Sequence, residues 1–284
     1  MTDGKKVAWV TGASSGIGAA TVLRLVKEGW VVAATARAGD KIEVLVHHAE
    51  IFGGGIVRSY PGDVTDPAVM NDIVERIETE VGPIDLAILN AGVYMPDTIE
   101  TFTAGHLKEQ YETNVFGTAN CIEPLMKKFR ARDKGHLAIV ASVAGYRGLP
   151  RSLSYGSSKA ALIYLAEAMA VEAKGTGIRV QVINPGFVKT PMTARNDFYM
   201  PMLMDVDEAA DELVRGLNGG FFEITFPWIF ARLTKIVGLL PDQIYIWAIA
   251  KIKQKQLNMK GHDHDHGNDS QDDHQSGAGP AKAA

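Results

Sequence analysis

Seven short runs rich in Val, Ile and Ala, each separated from the next by a stretch of helical periodicity, leave this chain few folds to adopt. The runs are KVAWVTG (6–12), VVAATA (31–36), GIVRSYPGD (55–63), IDLAILNAG (84–92), HLAIVAS (136–142), RVQVINPG (179–186) and FFEITFP (221–227). Most show little polar alternation, so they read as strands buried on both faces, the pattern of a parallel sheet. The helical stretches lie near 16–29, 41–52, 67–81, 106–131, 153–174 and 205–218. Right-handed crossovers between such strands predict an α/β fold, a single doubly wound parallel sheet of about seven strands flanked by helices. No repeat or linker interrupts the first 257 residues, so 1–257 is expected to be one domain.

Composition excludes more than it identifies. A net charge of -4 on 284 residues offers no basic field for nucleic acid. A single cysteine, Cys121, rules out an internal disulfide, fits a reducing compartment and sits in an apolar helical stretch, where a core role is expected. The opening MTDGKKVAWV lacks the apolar region and cleavage site of a signal peptide, so a cytoplasmic location is expected. Residues 258–284 are polar and rich in Gly, Asp and His, and are expected to be disordered. His262, His264 and His266 could hold a divalent cation loosely, but nothing pre-organises them, and no metal site is assigned.

Directly after the first strand comes TGASSGIGAA, with Gly12, Gly16 and Gly18 at a strand-to-helix junction. Glycine there allows a tight turn and lets backbone amides at a helix N-terminus approach a pyrophosphate. The second strand ends AATARAG, with Arg37 where an NAD site would place an acid. A guanidinium matches a 2′-phosphate, so NADP is the expected cofactor and NAD the less favoured one. The alternative for Arg37 is a solvated loop charge. In SYGSSKA (154–160), Tyr155 and Lys159 stand four apart on one helical face, with only small residues between them.

These motifs, together with GDV (62–64), NAG (90–92), YETNVFGT (111–118), IVASVAG (139–145) and NPGFVKT (184–190), resemble the classical short-chain dehydrogenases/reductases over about residues 5–227. The resemblance implies a Rossmann-type fold and a catalytic set of Asn114, Ser142, Tyr155 and Lys159. Tyr155 would be the general acid/base, Ser142 would bind the carbonyl oxygen, Lys159 the nicotinamide ribose, and Asn114 a water reaching Lys159. A nearby Lys159 ammonium and a positive nicotinamide would hold the Tyr155 phenol below its ordinary ~10. Further cofactor contacts are implied at Gly12, Ser14, Ser15, Gly16, Ile17, Gly18, Arg37, Asp63, Val64, Asn90, Ala91, Gly92, Pro185, Gly186, Val188 and Thr190. The implied activity is NADP(H)-dependent interconversion of a carbonyl and an alcohol, in a homo-oligomer (dimer or tetramer). The alternative is an NADPH-binding sensor of the same fold without turnover.

The loop 186–204 carries Phe187, Met192, Phe198, Tyr199, Met200, Met202, Leu203 and Met204. It reads either as a lid for an apolar small-molecule substrate or as a packing segment. In the extension 228–257, Ile229, Leu233, Ile236, Val237 and Leu240 form one helical stripe. Packing on the body or on another subunit is the favoured reading, and peripheral membrane contact through Trp228, Trp247 and the lysines is the alternative.

Overall fold

The structure is a computed structural model, and it describes residues 4–52 and 54–265. The chain divides into two compact units, one through Leu239 and one from Leu240 onward. The first contains a seven-stranded sheet of β1 (Val7–Thr11), β2 (Val31–Thr35), β3 (Ile56–Ser59), β4 (Ile84–Leu89), β5 (Gly135–Val140), β6 (Ile178–Pro185) and β7 (Glu223–Phe226). Their order is β3-β2-β1-β4-β5-β6-β7 and every pairing is parallel. The expected fold is the one observed.

Alternate side chains of each central strand enter opposite cores, which is why those strands read as continuous apolar runs. Val7 and Trp9 of β1 pack with α3 (Pro67–Glu80), α5 (Gly117–Arg132) and α6 (Leu153–Glu172) through Ile73, Ile77, Leu125, Phe129 and Leu162. Ala8 and Val10 face α1 (Gly16–Lys27), α2 (Gly39–Phe52) and α7 (Val206–Asn218) through Val22, Leu25, Ile42 and Leu213. Trp9 is fully buried because its indole N–H donates to Thr35 Oγ1 at 2.9 Å, so burial leaves no polar atom unpaired. Cys121 lies in the first of these cores, and burial pushes its thiol far up from the ordinary value, so it is a packing residue.

The strand order reverses between β1 and β4. Beyond the carboxyl ends of these two strands the loops diverge and open a crevice, the place where a doubly wound sheet binds ligands.

Three expectations are corrected. The single helix expected over 106–131 is α4 (Ala104–Tyr111), a π-helical turn (Glu112–Phe116) and α5. The wider turn carries Asn114 inward to Val93 and Ser158, and glycine at 117 lets the helix close on Val64, where a Cβ would stand 2.7 Å from Val64 Cγ2. The extension is two helices, α8 (Trp228–Gly238) in the sheet unit and α9 (Asp242–Asp265), which runs beyond the boundary expected at 257. The apolar stripe of α8 does not pack on the body: Ala231, 1% exposed, faces inward, while Ile229, Leu233, Ile236 and Val237 face outward. The sheet unit is already closed by β7 and α7, and α8 meets it through its Ala231 face. The side chains of His262 and His264, His266 itself and the tail from 266 lie outside the described residues.

Candidate active site

β1 ends at Thr11 and α1 begins at Gly16, and four residues make the turn between them. Gly12 (φ +65°) and Gly16 (φ +56°) occupy left-handed conformations that L side chains rarely adopt. A Cβ on Gly12 would stand 2.8 Å from Ala91 Cα, so the turn lies directly on the end of β4. Asn90 Nδ2 donates to the carbonyls of Thr11 (3.1 Å) and Gly12 (3.3 Å). Thr11 Oγ1 accepts from the amides of Asn90 (3.0 Å) and Ala91 (3.1 Å). At the α1 N-cap, Ser15 makes no side-chain capping bond and the first turn holds no acidic residue, so the helix end faces the crevice with its amides uncapped by side chains.

Gly18 plays a different part from the one expected. It does not line the crevice. A Cβ there would collide with the Gly12 carbonyl oxygen, so this glycine lets α1 pack against the turn. Gly18→Ala should therefore cost about 1–3 kcal/mol through overpacking, and lower Tm by roughly 2–10 °C. A thermal melt equal to that of the wild type would refute this account.

The crevice is a cleft of about 430 Å³. It brings together Gly12, Ser14, Ser15, Gly16, Ile17, Arg37, Asp63, Val64, Asn90, Ala91, Gly92, Ser142, Tyr155, Lys159, Pro185, Gly186, Val188 and Thr190. Residues named from seven separate stretches of sequence thus share one wall-to-wall site. Arg37 projects from the end of β2, exposed, and Lys41 from the first turn of α2 joins it on the same rim. Asp63 Oδ1 accepts from Thr65 N (3.0 Å) and Oγ1 (2.9 Å), fixing the loop after β3.

Ser142 follows β5, and its Oγ accepts from Ala144 N at 3.1 Å and lies 3.4 Å from the Pro185 carbonyl. It also hydrogen-bonds the Tyr155 side chain. Tyr155 and Lys159 stand one turn apart on α6. Lys159 Nζ donates to the Val140 carbonyl at 3.0 Å and lies 5.7 Å from the Tyr155 ring centroid. Gly92 gives room chiefly to Asn114, since a Cβ there would stand 3.1 Å from Asn114 Oδ1 and in ordinary contact, at 3.5 Å, with Lys159 Nζ. Asn114 is fully buried and outside the cleft. Its Oδ1 accepts from Val93 N (2.8 Å), and its Nδ2 donates to Val93 O (3.1 Å) and Ser158 Oγ (3.0 Å). These bonds pin the β4 exit to α6.

Burial dominates the titration of the pair. It pushes the Tyr155 phenol up to about 12, against the lowering effect of the Ser142 hydrogen bond, and brings the Lys159 ammonium down to about 8. Burial thus acts against the depression expected from Lys159 and a positive nicotinamide. The Lys159 ammonium is itself buried and donates to the Val140 carbonyl.

Residues 6–198 match the family model described as short chain dehydrogenase. The chain belongs to the short-chain dehydrogenase family. It is an oxidoreductase, and the relatives are of the same kind. An uncharacterized oxidoreductase of Myxococcus xanthus is 34% identical over 87% of this chain and 98% of its own length. The 3-oxoacyl-(acyl-carrier-protein) reductase FabG of Thermotoga maritima is 33% identical over 67% of this chain and 77% of its own. Among solved structures, ElxO with NADP bound superposes with a TM-score of 0.69 at 25% identity, covering 80% of this chain and 99% of that one.

In this short-chain dehydrogenase the loop 186–204 divides its apolar residues between two tasks. Phe187 packs edge-on to Phe198 (5.9 Å between centroids) and against Phe230 of α8 (5.7 Å). Met192, Tyr199, Met202 and Leu203 are exposed, and Met192 reaches the cleft. An Arg151–Asp197 ion pair ties this loop to the segment before α6, and Tyr94 meets Tyr155 edge-on at 4.9 Å. Lys41, Tyr94, Thr113 and Thr193 of this neighbourhood escaped sequence reasoning. The signal for Lys41 was its place in the first turn of α2, one helical turn beyond Arg37.

Proposed function

We propose that the chain is an NADP(H)-dependent oxidoreductase that interconverts an apolar ketone or aldehyde and its alcohol, with Tyr155 as general acid/base. The observation that carries the reading is that Ser142, Tyr155 and Lys159 line the same cleft as the glycine turn and Arg37. The cleft also fits the cofactor: positive-φ Gly12 and Gly16 allow the tight turn that brings the backbone into the cleft, and α1 offers uncapped amides to a pyrophosphate. Arg37 and Lys41 form a basic rim of the kind a 2′-phosphate requires. NADP bound to the related ElxO supports the same choice.

When bound, NADPH supplies the hydride. The protein supplies the rest. As hydride reaches the carbonyl carbon, negative charge grows on its oxygen, and a donor must stand beside it. Tyr155 Oη gives its proton to that oxygen while Ser142 Oγ hydrogen-bonds it and fixes its orientation. A phenol pushed up to about 12 is protonated throughout the neutral range, so the resting chain is poised as an acid, for reduction. The Lys159 ammonium then favours the phenolate left behind. Asn114 is a positioning residue, holding Val93 and the Ser158 turn of α6 beside Lys159. The exposed Met192, which reaches the cleft, favours an apolar substrate, and a 3-oxoacyl reductase among the relatives agrees with one.

The test is the pH profile of kcat/KM, with NADPH varied for reduction and NADP for oxidation. Reduction needs neutral Tyr155, present below about 12, and charged Lys159, present below about 8. It should stay level at neutral pH and fall as pH rises through about 8, whereas oxidation, which needs the phenolate, should gain with pH. Reduction that strengthens from pH 8 upward would overturn the assignment of Tyr155 as acid and Lys159 as its charged neighbour.

A further inference from the structure

We propose, beyond the activity itself, that the outward face of α8, assisted by the basic α9 segment that follows it in sequence, docks the protein on an anionic lipid surface. α8 turns its small Ala231 inward and leaves Trp228 (57% exposed), Leu233 (53%) and Ile236 (63%) uncovered on one face, with Ile229 and Val237 beside them. Five large apolar side chains in contiguous helical register form a patch that needs an occupant. α9, taken by itself, repeats the chemistry, with Ile244, Ile246, Trp247 and Ile252 all exposed.

Charge selects the occupant. Between residues 227 and 256 the cations are Arg232, Lys235, Lys251, Lys253 and Lys255, against the single acid Asp242, in a chain whose net charge is -4. A second copy of this face would set like charges against each other. Anionic headgroups would neutralise them. The cations also sit where an interfacial segment needs them: the Arg232 guanidinium lies 5.0 Å from the Trp228 ring centroid and Lys251 Nζ lies 4.2 Å from that of Trp247. Each pair is an amphipathic ring capped by a charge, the combination that resides at headgroup level with its apolar part directed toward acyl chains. Among the described residues no helix is long and apolar enough to cross a membrane. α8 therefore lies on the surface, its apolar face inserted and Arg232 among the phosphates. Lys235 is drawn partly to Glu223, which leaves Arg232 and the α9 lysines as the main headgroup contacts.

Flotation of the full chain with vesicles tests this, using equal parts phosphatidylglycerol and phosphatidylcholine against phosphatidylcholine alone. The protein should float with the anionic vesicles, and high salt should weaken the association. Leu233→Glu with Ile236→Glu, both on the outward face and remote from the cleft, should reduce it roughly tenfold or more. Arg232→Glu with Lys251→Glu should remove the preference for anionic lipid while leaving NADPH binding unchanged. Absence of flotation, or flotation on both vesicle types that neither variant alters, would overturn the proposal. So would a dimer in light scattering that the Leu233/Ile236 variant dissociates in a protein that does not float, since a second copy would then cover the face.

Discussion

Replacing Tyr155 with phenylalanine should reduce kcat for ketone reduction by ~10²–10⁴-fold, the usual contribution of a positioned proton donor. NADPH affinity should change little. The ring stays on α6, edge-on to Tyr94 at 4.9 Å, and Lys159 keeps its bond to the Val140 carbonyl at 3.0 Å, so only the hydroxyl and its link to Ser142 are lost. The developing oxyanion would retain Ser142 as a neutral donor, which is why a residual rate should survive. Steady-state reduction of a ketone and aldehyde panel, beside NADPH titration by fluorescence, separates the two quantities. A variant as active as the wild type would remove Tyr155 from the chemistry. A wild-type chain that binds NADPH tightly yet turns over no carbonyl would instead identify the site as a sensor.

The second large effect should appear in Arg37→Ala combined with Lys41→Ala. Both cations line the cleft, one at the end of β2 and one in the first turn of α2. Charged hydrogen bonds to a phosphate are the stronger kind, but both side chains are exposed and solvent screens them. The pair removed together should raise the Kd for NADPH by ~10–100-fold and that for NADH by less than about twofold. Equal losses for the two cofactors would mean that the rim senses the common pyrophosphate or nothing at all.

The strands were legible because burial on both faces writes itself into a run of Val, Ile and Ala. β1, β2, β4 and β5 were all readable in this way, whereas the edge strand β3 is shorter than its sequence run and mixes exposed with buried residues. The glycine turn was legible because its geometry is local: two positive-φ positions and a junction of strand and helix. The α4–α5 region was not. Its apolar periodicity passes without a break through Asn114, and the π turn exists only because Val93 and Ser158, distant in sequence, offer that side chain three hydrogen bonds. The same limit applied to Tyr155, whose elevated phenol is set by the groups around it and not by the spacing to Lys159.

What the sequence by itself determined is therefore what near neighbours and periodicity encode. This covers the seven strands, the glycine turn, and Ser142, Tyr155, Lys159 and Arg37 as candidates, which the fold brings to one cleft. Tertiary structure alone decided where faces point and what surrounds each charge. It turned the α8 stripe outward, brought Lys41 into the cleft with Arg37, bonded Asn114 to Val93 and Ser158 and buried the Tyr155–Lys159 pair. The physical reason is common to all four. A periodic pattern specifies that a face is apolar, but its burial, partners and electrostatic environment come from segments that only the folded chain brings alongside.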